Sequence, residues 1–295
     1  MPDSSRTGRT DEEADFPYVV PLRESGAGRP LFLIHGIFGD VSELHALAER
    51  LNTTRPIYAL QARGVDLLQE PHSSIDEMVD AYARAIRSAQ PTGPYALAGY
   101  SLGGLIAFEL ARRFRAEGDE VDVLALMEAR LYERYLPLRD KLAYWFQLPH
   151  RVFGKMRILP ARELPSYLAS KVVQLGHRVL LRLGLRDDFY RIEETTGPMA
   201  GRRRHMFHIG ISEFRNFNPK SYDGAISLFS IKGPRFDCCD SLPIWRRAAR
   251  SVEVFDIVGA HSTIMETPNV DTLARQLDRC LAASEGPGRA AKAVS

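Results

Sequence analysis

Gly99-Tyr100-Ser101-Leu102-Gly103 has the pattern G-x-S-x-G, which offers a serine hydroxyl as a nucleophile if a strand enters the motif and a helix leaves it. The glycines have a steric reason: side chains at Gly99 and Gly103 would meet neighbouring backbone as the chain reverses, and Gly104 adds room at the helix start. A serine hydroxyl reacts poorly near neutral pH, so the chemistry also needs a histidine base and a carboxylate to orient it. Of eight histidines, His261 alone follows a late strand pattern, in Gly259-Ala260-His261, where an imidazole can hang over the strand ends. Glu128 directly follows the strand after the nucleophile's helix, whereas Asp237 and Asp240 follow the next strand; spacing leaves all three open as the acid. Charge developing on a carbonyl oxygen needs backbone donors. The Leu102 N–H at the helix start and the Ile37 N–H in His35-Gly36-Ile37-Phe38-Gly39 are the candidates, with His35 expected to brace that loop.

These residues need a scaffold that delivers them to one edge. PLFLI (30–34), PIYAL (56–60), YALA (95–98) and VDVLALM (121–127) are short, nearly continuous apolar runs, as expected of strands covered on both faces. Between them, 42–51 and 74–89 carry apolar residues at helical spacing, and 104–116 continues the helix behind Ser101. Ser74 with Glu77 three residues on resembles a capping box. Strand and helix therefore alternate, which implies a mostly parallel sheet flanked by helices. With G-x-S-x-G at a strand-to-helix turn, this is the α/β-hydrolase fold. From 129 to about 200 no strand pattern appears, and prolines at 137, 149, 160 and 165 break helical stretches, so a helical lid insertion is expected there. Strands return at 225–231 and 252–258, and a helix follows over 268–283. The expected division is a polar leader over 1–29, one catalytic domain over 30–283 and a frayed tail over 284–295.

Composition excludes several classes. Thirty-nine Lys and Arg against 37 Asp and Glu leave a net charge of +2, too even for a dedicated nucleic-acid binder. No run of about 18 apolar residues is present, so no membrane span is expected. The first fifteen residues lack the apolar core of a secretory signal, and Cys238, Cys239 and Cys280 have neither metal nor redox spacing. Free thiols in a reducing, cytoplasmic compartment are expected, with no metal site among the cysteines.

The stretches PLFLIHGIFGD, YALQARGVD, SIDEMVDAYARAI, GPYALAGYSLGGLIAFELARR, GPRFD and GAHSTIMETPNV resemble the thioesterase domains that release chains from nonribosomal peptide and polyketide synthases. The resemblance covers most of 30–130 and 217–281 and leaves the insertion and both ends aside. It implies a serine that accepts an acyl chain from the phosphopantetheine arm of an acyl or peptidyl carrier protein, with release by hydrolysis or cyclisation and no cofactor of the enzyme's own. In that family the acid is an aspartate directly after the strand following the nucleophile helix. Glu128 holds the matching position, a departure that lengthens the acid by one methylene. The alternatives on the same scaffold are a general carboxylester hydrolase and a catalytically impaired acyl-binding module. Because the chain opens on Met1 with no carrier domain before residue 30, a freestanding enzyme is expected, an excised domain being the alternative.

Residues 151–204 carry twelve Lys and Arg against five Asp and Glu, so the rest of the chain is net negative. This excess, including Arg202-Arg203-Arg204, would suit an acidic carrier protein or simply form solvated helix faces. Leu164, Leu168, Val172, Val173, Leu175, Val179, Leu180, Leu181 and Leu183 would either line an acyl channel or pack the lid helices together.

Overall fold

The computed structural model describes residues 18–65, 69–169, 172, 198–231 and 240–284. Seven described strands form one sheet: β1 (Val19–Arg23), β2 (Leu31–Ile34), β3 (Ile57–Leu60), β4 (Tyr95–Tyr100), β5 (Val121–Met127), β6 (Tyr222–Ile231) and β7 (Ala249–Ile257). Their spatial order is β1-β3-β2-β4-β5-β6-β7, with β1 antiparallel to β3 and every other pair parallel. The sheet places β4, the strand that runs into Ser101, at its centre.

Alternate residues of each central strand face opposite sides, and both sides are apolar. Phe32, Ile34, Tyr95, Leu97, Leu124 and Leu126 pack on one face, against α2 (Ile75–Ala89) and α3 (Leu102–Ala116). Leu31, Leu33, Ala96, Ala98, Val123 and Ala125 pack on the other, against α1 (His45–Arg50) and the C-terminal helix, whose range is given below. The Ser74 hydroxyl accepts the Glu77 N–H at 3.2 Å and starts α2. The reciprocal bond of a capping box falls one residue early, since the Glu77 carboxylate accepts the N–H of Ser73.

Two boundaries differ from the sequence reading. β1 lies inside the expected leader; its Pro21 interrupts the run and removes a ladder donor, which an edge strand tolerates and which hides the strand from an apolar pattern. The segment between β5 and β6 contains α4 (Leu138–Ile158) and α5 (Pro198–Asn216), so helix continues well beyond the expected end near 200. A short helix not anticipated from sequence, α6 (Leu242–Ala248), precedes β7, and α7 (Asn269–Ser284) is the last described element, close to its expected place. Among the described residues no helix is long and apolar enough to cross a membrane.

α5 is docked rather than draped. Met206 and Phe207 are buried, and Phe207 stacks on Phe38 with ring centroids 5.8 Å apart. A Cβ at Gly210 would lie 2.5 Å from Ile37 Cγ1 and 3.3 Å from Leu102 Cδ2, so the glycine permits the close approach. Further along, the Glu213 carboxylate accepts the Ile75 N–H at 3.2 Å, and the Tyr135 hydroxyl donates to the Asn216 carbonyl at 2.9 Å.

Candidate active site

Ser101 sits between β4 and α3 with φ 56°, a left-handed backbone uncommon outside glycine, and its N–H is held by the Met127 carbonyl at 2.9 Å. The crowding expected of the flanking glycines is present: a Cβ at Gly99 would lie 2.0 Å from the Gly103 carbonyl oxygen, and one at Gly103 would lie 2.2 Å from that of His35. The second contact also brings the His35–Gly39 loop against the start of α3.

The structure brings Ser101, His261 and Glu128 together. Ser101 Oγ lies 3.0 Å from His261 Nε2, and His261 Nδ1 lies 3.5 Å from Glu128 Oε2. The second distance is long for a hydrogen bond, as is common where catalytic contacts tighten only around substrate. His261 occupies a short 3₁₀ turn that the sequence reading took as plain loop. Thr263 Oγ1 accepts the Ala260 N–H at 3.0 Å, and Asn269 donates to the Thr263 carbonyl at 3.1 Å. The Tyr100 hydroxyl donates to the His261 carbonyl at 2.5 Å, tying His261 to the residue next to Ser101.

Glu128 is buried with φ 51°, its N–H bonded to the Phe229 carbonyl at 2.9 Å. Oε1 accepts the Ile231 N–H at 2.8 Å, and Oε2 accepts Arg130 Nε at 2.7 Å and Nη2 at 2.6 Å. Burial by itself would raise the carboxyl's pKa, but the His261 contact, the Arg130 cation and the Ile231 N–H outweigh it and hold it down at about 2. Of the other acid candidates, Asp240 is exposed and accepts the Leu242 N–H at 3.0 Å, while Asp237 lies outside the described residues. Arg130 had no signal in the sequence beyond standing two residues after Glu128.

His35 is fully enclosed, and burial pushes its pKa down to about 4, so the ring is neutral near pH 7. Its Nδ1 lies 2.6 Å from the Gly36 carbonyl, which can only accept, so Nδ1 carries the proton. Nε2, 2.6 Å from the Tyr82 hydroxyl, then accepts from it. His35 thus braces the loop that carries Ile37, as the sequence suggests. The side chains of Arg202, Arg203 and Arg204, and Val173, Leu175, Val179, Leu180, Leu181 and Leu183, lie outside what is described; Leu164 is half-buried, and Leu168 and Val172 are exposed.

Residues 29–135 match the family model for a thioesterase domain, a span that includes Ser101 and Glu128. An atromentin synthetase of Suillus grevillei is 43% identical over 276 residues, covering 90% of this chain and 28% of that protein. A Paxillus involutus protein named an inactive atromentin synthetase is 40% identical over 136 residues, 46% of this chain and 14% of that protein. The chain therefore spans less than a third of the length of these relatives. Among solved structures, the NocB thioesterase domain of a nocardicin cluster aligns with a TM-score of 0.63 at 20% identity, over 90% of this chain and 99% of that one. With a mostly parallel sheet that places a serine at the central strand-to-helix turn, and with these structural matches, the chain has the α/β-hydrolase fold, and its residues 29–135 match the thioesterase domain model.

Proposed function

We propose that this chain is a serine thioesterase that takes an acyl, polyketide or peptide chain from the phosphopantetheine thioester of a carrier protein and releases it through an acyl-Ser101 intermediate. The observation that carries this reading is the 3.0 Å approach of Ser101 Oγ to His261 Nε2, in a chain whose residues 29–135 match a thioesterase domain model. His261 Nε2 takes the hydroxyl proton as Oγ attacks the thioester carbonyl. Glu128 accepts the Nδ1 proton, which fixes the tautomer and stabilises the imidazolium. The N–H groups of Ile37 and Leu102 receive the developing oxyanion, each such donor being worth on the order of 10²–10³ in rate. His261 then protonates the departing sulfur. Water or an internal hydroxyl or amine, deprotonated in turn by His261, resolves the ester by hydrolysis or cyclisation.

Carrier dependence separates this function from a general esterase. Replacing Arg202, Arg203 and Arg204 with alanine is expected to lower kcat/KM on a carrier-bound thioester about tenfold while sparing a small thioester mimic, because charges remote from the reacting bond mainly steer a charged partner. Added salt should reproduce the loss in the unaltered protein. Equal losses on both substrates would mean damage to the substrate site, and turnover indifferent to the carrier would favour the general esterase.

Arg130 allows a pH test of the same site. Its cation stands beside Glu128 and is one of the groups that hold that carboxyl down. Arg130→Met removes it, so Glu128 should protonate at a higher pH and the acid limb of turnover that follows it should move up, measured on a small thioester. A limb that stays in place or moves to lower pH would contradict this electrostatic role.

A further inference from the structure

Gly36 has no side chain to limit its dihedrals, yet it precedes the peptide whose N–H is assigned to the oxyanion, so something else must hold it. Its carbonyl accepts from His35 Nδ1 at 2.6 Å and from the Gly39 N–H at 3.2 Å. In a planar trans peptide the carbonyl and the following N–H point in opposite directions, so fixing the Gly36 carbonyl also aims the Ile37 N–H. That settles one of the two peptide planes meeting at Gly36.

The other plane is held by Glu43. Glu43 lies in the 3₁₀ turn Ser42–Leu44, anchored by the buried Leu44 and by an Asp40 carboxylate that accepts the Ser42 N–H at 2.7 Å. Its Oε1 accepts the Gly36 N–H at 2.6 Å. A Cβ at Gly36 would lie 2.6 Å from that same oxygen and 3.1 Å from the Tyr100 ring, so the residue is gripped between the carboxylate and the tyrosine that holds His261. The location is costly for an acid: burial pushes the carboxyl up to about 7 although the Gly36 N–H pulls it down, and Asp40 adds to the rise. Helix α1 could be entered by many polar residues without that cost.

We propose that Glu43 is a positioning residue for the oxyanion donors, its carboxylate fixing the Gly36 N–H so that the Ile37 N–H faces the tetrahedral intermediate. Glu43 does not touch the reacting atoms; it acts through Gly36. The proposal rests on the serine thioesterase reading, so the experiment begins with fluorophosphonate labelling of the unaltered chain, expected at Ser101.

Three variants then separate geometry from charge. Glu43→Gln keeps an oxygen acceptor at the same reach, whereas Glu43→Asp keeps the charge but falls one methylene short, and Glu43→Leu removes the acceptor. Glu43→Gln is expected within about threefold of the original kcat on a small thioester, and both Glu43→Asp and Glu43→Leu about 10- to 100-fold lower, with KM little changed. Affinity for an alkyl boronic acid, whose Ser101 adduct places an oxygen in the oxyanion position, should fall by the same factor as kcat. Glu43→Asp serves even if Glu43→Leu does not fold. If Glu43→Asp keeps full turnover, if Glu43→Gln loses as much as Glu43→Asp, or if kcat falls while boronate affinity holds, Glu43 does not position the donors. Failure of the unaltered chain to label at Ser101 would overturn the proposal together with the reading beneath it.

Discussion

Ser101→Ala is expected to abolish fluorophosphonate labelling and to lower thioester turnover by on the order of 10⁴- to 10⁶-fold, with the protein still folded. In the proposed mechanism the hydroxyl supplies the attacking atom, and no other side chain described near His261 offers an oxygen at 3.0 Å from Nε2. Stability should change by only about 1 kcal/mol, since the deletion costs one partly buried hydrogen bond and alanine meets the same backbone demand at φ 56° as serine does. Mass spectrometry of labelled protein and a thermal melt read the two effects separately. Stoichiometric labelling of the alanine variant at another residue would show that the nucleophile lies elsewhere.

Glu128→Gln should cost about 10³- to 10⁴-fold in turnover, for a reason specific to this site. Both carboxylate oxygens face donors: the Ile231 N–H on Oε1, and the Arg130 guanidinium and His261 Nδ1 on Oε2. An amide has one acceptor oxygen, so whichever way it turns, its NH₂ group meets an N–H. If the oxygen stays with Arg130, Ile231 loses its acceptor, with a stability loss of about 1–3 kcal/mol. If it turns to Ile231, the amide hydrogens face His261 and Arg130, and the imidazole is pushed toward the wrong tautomer. Glu128→Asp retains two acceptors but withdraws from a histidine already 3.5 Å away, so it should fall between the two. Asp240→Asn, altering an exposed helix-capping group, should stay near normal. If instead Asp237→Asn or Asp240→Asn were crippled while Glu128→Gln kept its turnover, the acid would lie after β6.

The central strands were legible because burial on both faces demands continuous apolar runs, and VDVLALM or PLFLI admit few other readings in such a short span. β1 was not, because an edge strand needs only one covered face and can carry Pro21. Ser101 and His261 could be singled out since each follows a strand at the same end of the sheet, whereas chain order left Glu128 beside Asp237 and Asp240 and only the family resemblance favoured it. The groups that hold them left no such trace. Tyr100 is an unspecified position within G-x-S-x-G, Arg130 is one of many arginines, and Glu43 reaches Gly36 only because a 3₁₀ turn folds back over the loop. Those contacts depend on directions in space, which hydrophobic periodicity does not encode.

The docking of α5 bounds what can be exchanged with a relative's sequence. Because Phe207 stacks on Phe38, Gly210 rests on Ile37 and Leu102, and Glu213 caps α2, the last part of the segment between β5 and β6 is built into the catalytic body. A chimera that replaces everything between those strands would remove the surface against which Ile37 and Leu102 are packed, and should lose activity on every substrate. A chimera joined before α5, keeping 198–216, leaves that surface in place and is expected to keep turnover of a small thioester, so the place of the junction decides whether activity survives the exchange.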